Sequence, residues 1–240
     1  MSSTRNPGRV AGLLYIAASI PGFFALVYVP GKLIVHGNAA ATATNIAAHE
    51  ALFRLGIAAD LVGQGLFVFV ALALYGLLKG INQRHALAML VLILVAIPIA
   101  FFNEVNSIGA LVMARGADFL SVFDASQRAA LARLFLVLRS SGFDVAEVFW
   151  GLWLFPLGML VYKSRFLPRF LGVLLMIGTF SYLANSFTSL VLPTYQGVVS
   201  RWVSPLQLVE IVFMLWLAIR GAQPPEVQSA PVAQSAPTLA

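Results

Sequence analysis

Six stretches of this chain stay apolar for about twenty residues or more, and their length is what most limits the folds open to it. They run at about 10–30, 54–79, 86–114, 142–162, 169–192 and 203–220. A helix needs about 20 residues to cross a hydrocarbon core of about 30 Å. Inside lipid each backbone donor and acceptor must find its partner within the protein, which leaves helices and closed barrels. Barrel strands would be about 10 residues long and would alternate apolar with polar residues. These runs do neither. The expectation is an all-α polytopic integral membrane protein with six transmembrane helices. Composition agrees, since 60% of the 240 residues are hydrophobic and 10% are charged. A soluble domain carries about 25% charged residues.

The connections suggest an orientation. "LLKGINQRHALA" holds Lys79 and Arg84, and "VYKSRFLPRFLG" holds Lys163, Arg165 and Arg169, with no acid in either. Arg5 and Arg9 precede the first run and Arg220 closes the last. In a six-span chain these regions share one side, which the positive-inside rule makes the cytoplasm, with both termini there. The run from Val10 to Val29 is too long for a signal core, and no Ala-x-Ala site ends it, so an uncleaved first span is expected. Residues 1–221 read as one transmembrane domain. The Gln-Ser-Ala-Pro repeats of residues 222–240 read as a disordered cytoplasmic tail.

The long outer loop contains "DASQRAALARLFLVLRSSG". Asp124 and Gln127 have capping-box spacing, and Leu131, Leu134, Phe135 and Leu138 repeat at helical spacing. Unbroken from Ala125 to Tyr162, this helix would be about 57 Å long at about 1.5 Å per residue. A break at Ser140-Ser141-Gly142 is therefore expected, preceded by a short amphipathic interfacial helix.

Ionisable residues inside spans are costly, and each invites a functional reading. Asp60 lies four residues from Gln64. Asn103 and Glu104 precede Asn106 and Ser107. Ser140, Asp144, Glu147 and Gly151 form one stripe, as do Tyr182, Asn185, Ser186 and Ser189, while Gln207 and Glu210 are three apart. Residues three or four apart share a helix face. All the carboxylates fall in the outer half, with His36, His49, Arg54, Arg139 and Arg201 on the same side. The expected ligand-binding set is Asp60, Gln64, Asn103, Glu104, Asp144, Glu147, Asn185, Glu210, His49 and Arg54, around one polar cavity opening outward. Asp60 should lie near its mouth and take a partner from another span or water. Thr44 or Asn45 should cap the same helix, with His49 and Glu50 at the rim. The bland readings are hydrogen bonds that only join helices, a Glu50–Arg54 surface pair, and Trp150, Trp153, Trp202 and Trp216 in interfacial belts or packing. Pro21 and Pro98 should kink their spans.

Several chemistries are disfavoured. Without cysteine there is no thiolate or iron–sulfur site. "HEALFR" lacks the second His of a zinc helix, and neither a Walker loop nor a dinucleotide glycine pattern occurs. No catalytic residue, metal ligand or cofactor is expected. The formal charge of +6 sits between apolar runs, where anionic lipid explains it better than nucleic acid does. The expected partners are the lipid bilayer and a small molecule or cation from the outer side, not nucleic acid.

"GNAAATATNIAAHEALFRLGIAADL", "ALALYGLLKGIN", "LFPLGMLVYKSRFLPRFLGVLLMIGTFSYL" and "LWLAIRG" together resemble a bacterial membrane-protein family labelled domain of unknown function 4386. The resemblance runs from Gly8 to about Gly221. Its specific parts are Thr42 to Ile46 with Leu52-Phe53-Arg54, and Lys163 to Gly172. In that family an Asp commonly follows the glycine matched by Gly37; Asn38 stands here, one outer acid fewer. The resemblance implies six spans in the bacterial plasma (inner) membrane and no particular reaction. Three function classes stay open: a small transporter or ligand-binding membrane protein, an accessory subunit whose polar residues only pack helices, and an intramembrane enzyme.

Overall fold

The computed structural model describes residues 6–224. All regular structure among them is helical: α1 (Pro7–Phe23), α2 (Val29–Leu33), α3 (Ala39–Ala48), α4 (Glu50–Leu78), α5 (Gln83–Arg115), α6 (Ala125–Lys163), α7 (Arg169–Val191), α8 (Gln196–Gln207) and α9 (Val209–Arg220). Six segments are long and apolar enough to cross a membrane: Pro7–Leu33, Glu50–Leu78, Gln83–Arg115, Ala125–Lys163, Arg169–Val191 and Pro193–Arg220. Each contains one of the six apolar runs. The tail expected from residue 222 lies, beyond residue 224, outside the described residues.

The first span is continuous but not uniform. Phe24–Tyr28 is wound as a π-helix, with the Val29 N–H bonded to the Phe24 carbonyl five residues back. Pro30, which has no N–H to give the Leu26 carbonyl, follows directly. A widened turn beside a proline is a common way to place a side chain off the regular helical register. Here that side chain is Leu26, which reappears at the site. The last span is likewise interrupted at Leu208, between α8 and α9, three residues after Pro205.

α1 packs on α4 and α9, α4 on α5, α5 on α6, and α6 on α7. Close backbone approach is built from small residues, the usual device where lipid offers no hydrophobic drive. A Cβ on Gly158 would lie 2.7 Å from the Gly172 carbonyl oxygen, and one on Gly172 would lie 2.6 Å from that of Gly158. Gly8 and Gly12 likewise sit against the backbone at Ala222 and Ala218. The two ends of the described chain are stitched together there. Gly8 N donates to Ala222 O at 2.9 Å, and Ala222 N donates to Asn6 Oδ1 at 2.8 Å.

Along its axis the bundle is layered. At the end with the short basic loops lies the main core, including Val70, Leu74, Met89, Ile93, Trp153, Leu157, Leu175 and Phe213. Its residues come from the later turns of α4 and α6 and the earlier turns of α5 and α7. At the opposite end a smaller cluster of Val29, Leu33, Ile46, Phe53, Leu111 and Leu136 closes the bundle. The intramembrane acids fall between these two apolar layers.

Three local expectations are corrected. First, α6 runs unbroken for 39 residues through Ser140-Ser141-Gly142. The Asp124–Gln127 capping box forms as expected, and the Ser126 hydroxyl and the Gln127 N–H hold the exposed Asp124 carboxyl below its ordinary range. Gly142 does not break the helix; its missing side chain makes room for Asn103 of α5. The anticipated leucine stripe is also displaced. Leu134 and Leu138 are exposed, while Ala129, Ala132 and Leu136 face inward. A short helix with one apolar face does occur, but as α8. Second, Thr44 and Asn45 cap nothing. Asn38 caps α3 through Ala41 N at 2.9 Å. Thr42 Oγ1 accepts from Val35 N at 3.0 Å, and Asn45 Nδ2 donates to Leu33 O at 3.2 Å, so these residues anchor the loop before the helix. Third, the helix is interrupted at His49 (φ −120°, ψ 42°), so α3 and α4 are separate. α3 folds back onto α5 and α6 instead of extending α4.

Candidate functional site

Asp60 lies ten residues into α4, about 15 Å from its start, and is 1% exposed. The face that carries it, Phe53, Gly56, Asp60 and Gly63, is the buried face of the helix. Its partner comes from another span: Arg139 Nη2 of α6 lies 3.4 Å from Asp60 Oδ2. The same nitrogen is 3.1 Å from Glu104 Oε1 of α5, and Arg139 Nε is 3.2 Å from that oxygen. One guanidinium thus bridges two carboxylates from two helices, which is the geometry its fork of donors suits. Gln64 Nε2 approaches Asp60 Oδ1 at 3.5 Å. Asn103 Nδ2 donates to the Arg139 carbonyl at 2.8 Å, and Asn106 Nδ2 donates to Asn103 Oδ1 at 3.0 Å. The guanidinium also lies 4.7 Å from the centre of the Phe143 ring. Glu104 Oε2 is buried without a partner, beside a cavity of about 20 Å³ lined by Gly56, Ser107 and Arg139.

A second cluster gathers one to two turns further along α6. Glu147, 8% exposed, accepts from Asn185 Nδ2 of α7 at 3.1 and 2.9 Å and from Gln207 Nε2 of α8 at 2.7 Å. Gln196 Nε2 donates in turn to Asn185 Oδ1 at 3.1 Å. Asp144, on the same face, accepts from Ser189 Oγ at 2.6 Å, and its carbonyl accepts from Ser186 Oγ. Among the described residues no cation lies within salt-bridge distance of Glu147, Asp144 or Glu210.

The third cluster centres on Glu210, in the first turn of α9, where a helix N-terminus favours an anion. Tyr15 of α1 donates its hydroxyl to Glu210, and the Tyr182 hydroxyl of α7 lies against the same carboxylate. Tyr15 meets Phe67 edge to face at 5.1 Å, and Phe67 meets Trp153 at 5.5 Å.

Two cavities adjoin these clusters. One of about 670 Å³ is lined by His36, Arg133, Arg139, Asp144, Glu147 and Ser189. The other, of about 660 Å³, is lined by Asp60, Gln64, Phe67, Tyr182, Gln207 and Glu210. Leu26, on the π-turn, and Trp150 line both and form the partition between them.

The ten expected site residues are thus divided. Asp60, Gln64, Asn103 and Glu104 meet at Arg139; Asp144, Glu147 and Asn185 meet at the α6–α7 seam; Glu210 stands with the tyrosines. The acids do not share one cavity: Asp60 and Glu210 line one, Asp144 and Glu147 line the other, and Trp150 and Leu26 stand between the two. Asp60 is not at a mouth either, since its side chain is buried and the smaller apolar cluster, which includes Phe53 of the same helix, lies between it and the end of the bundle away from the basic loops. His49 is exposed, its ring nitrogen 3.1 Å from its own helix at Asn45 O, and the break at that residue takes it off the Asp60 face. Arg54 pairs with Glu50 at 2.7 Å on the surface, where Arg115 joins at 3.1 Å. Among the described residues no group of three or more His, Cys, Asp or Glu side chains is arranged to hold a metal.

Arg139 and Tyr15 were absent from the expected set. Arg139 falls outside the expected fourth span, which begins at Gly142. A signal for it did exist, in its placement five residues before Asp144 on one continuous helical pattern. For Tyr15 the hint is a hydroxyl within the first span, a feature it shares with Ser19 and Tyr28.

The family model described as a domain of unknown function (DUF4386) matches residues 10–221, and the chain belongs to that family. An uncharacterized protein of Archaeoglobus fulgidus is 34% identical over 88 residues, which cover 37% of this chain and 51% of that protein. The chain therefore spans about half the length of that curated relative. No solved structure matches the chain.

Proposed function

We propose that this family member binds, and through binding carries, a small cation at the polar layer of its bundle, from the plasma membrane's outer side, with both termini in the cytoplasm. One observation carries the reading: Glu147 and Glu210 are anchored by amides and phenol hydroxyls beside open cavities, with no cation among the described residues against either. A carboxylate meant only to join helices is satisfied by closing a pair, as Asp60 and Glu104 do with Arg139. That triad favours, for its own residues, the reading of an accessory subunit with helix-joining polar groups. Glu147 and Glu210 differ in keeping their charge open to a visitor.

Thermal unfolding of the protein in nanodiscs tests this with Na⁺, K⁺ and a panel of small organic cations. A ligand at 100 times its Kd stabilises by about 2.7 kcal/mol. At least one cation should shift the melting temperature saturably, and Glu147→Gln or Glu210→Gln should abolish the shift. If no cation acts, or if both variants respond as the parent does, the accessory-subunit reading replaces this one.

A further inference from the structure

The cavity of about 660 Å³ has a lining that selects among cations. Its ionisable residues besides the tyrosines are Asp60 and Glu210, and no Lys, Arg or His is among them. Among the described residues no cation faces Glu210 there, and Arg139, which pairs with Asp60, lines the other two cavities. Around the carboxylate stand aromatic rings. Phe67, Trp150 and Tyr182, half-buried, line the space together with the buried Tyr15 and Trp153. The volume is that of a drug-sized ligand site, mostly apolar with a few convergent polar groups. An inorganic ion needs a close shell of oxygens, which so wide and apolar a space does not supply. Aromatic faces flanking a carboxylate are instead what recognises an organic ammonium. The rim of the cavity is lipid-like: Phe23 is 63% exposed and Leu208 is 56% exposed.

We infer that this cavity is a site for an amphipathic organic ammonium, its charged head at Glu210 among Phe67, Trp150 and Tyr182, and its apolar body reaching lipid between α1 and α8. The inference rests on the cation-binding function proposed above and narrows it to one chemical class and one of the two cavities. Cation–π attraction and the carboxylate act on the head together, so a neutral molecule of the same shape should be a poor substitute. Primary selectivity belongs to Glu210, and Trp150 sets access because it also partitions the two cavities.

Equilibrium dialysis of labelled benzyltrimethylammonium tests it, using the full chain in phosphatidylglycerol nanodiscs, whose head groups carry no ammonium, with empty discs as blank. Saturable binding is expected, not displaced by neopentylbenzene, the neutral carbon isostere. Glu210→Gln should weaken it at least tenfold and Trp150→Leu several-fold. Should Glu210→Gln fail to fold, the comparison of the two isosteres on the unaltered protein, with Trp150→Leu, still decides the matter. Equal displacement by neopentylbenzene would mean a merely greasy pocket and overturn the inference. Competition by phosphatidylethanolamine added to the discs would support the ammonium site and assign its ligand to a lipid head group; its absence would assign a free amine. Inorganic cations that stabilise the protein, with no ammonium binding, would overturn the inference and leave the proposed function standing. If neither kind of cation binds, both fall.

Discussion

Arg139 holds two carboxylates at once, and its own side chain is only 17% exposed. Removing one member of a buried ion cluster leaves its partners charged and unpaired, which costs about 3–5 kcal/mol, whereas replacing the whole cluster with apolar groups is often neutral. Arg139→Met should therefore destabilise the protein by about that amount. The triple change that also converts Asp60 and Glu104 to Leu should recover most of the loss. Unfolding by sodium dodecyl sulfate titration reads both, and an Arg139→Met variant as stable as the parent would show that the triad contributes nothing. At this scale the sequence was half readable. That Asp60 faces inward follows from its spacing to Phe53, Gly56 and Gln64. Its partner does not, because pairing between residues 79 positions apart depends on how α4 and α6 are rotated against each other, and no local pattern records that.

At the scale of elements, apolar length alone locates six spans, but it misplaces their outer ends. Residues 125–141 carry Arg128, Arg133 and Arg139, which reads as a loop with a surface helix. In the fold the guanidinium of Arg139 is turned onto Asp60 and Glu104, so the polar stretch is protein-facing and the helix continues. The opposite error occurs at His49, where a pattern that looks continuous is cut because Asn38, Thr42 and Asn45 tie α3 to the preceding loop. The two helix assignments make a testable contrast. Ser141→Pro should cost about 3 kcal/mol or more, since it removes a hydrogen bond in mid-helix and sets its ring against the preceding turn. Were there a hinge at Ser140-Ser141-Gly142, proline would be tolerated there. Thermal denaturation with circular dichroism distinguishes the two, and a melting temperature unchanged by Ser141→Pro would restore the hinge.

For the whole molecule, the layering along the bundle was visible in outline, since every intramembrane acid fell toward one end of its span. The division of those acids into three clusters was not visible. It depends on partners far apart in the chain, Arg139 for Asp60 and Glu104, Asn185 and Gln207 for Glu147, and Tyr15 for Glu210, and no local pattern records those pairings. Orientation is set by loop charge. Reporter fusions at Asn82 and Ser164 should be active only with a cytoplasmic reporter, and fusions at Ala41 and Ser121 only with an exported one. Exported-reporter activity at Asn82 would invert the assignment.

The stitch between Gly8 and Ala222 has a consequence in time. The helix made first, α1, takes as neighbours α4, which follows soon, and α9, which is made last. At about 5–20 residues per second of synthesis, the roughly 210 residues between the two halves of the seam emerge over on the order of ten to forty seconds. Throughout that interval Gly8, Gly12 and the Tyr15 hydroxyl have no mate, and the groove on α1 stands open to lipid. The bundle is a clasp whose catch arrives at the end. The described bundle is therefore closed by its sixth span, and a ribosome stalled before Val209 would leave five of the six inserted and the ring unfastened.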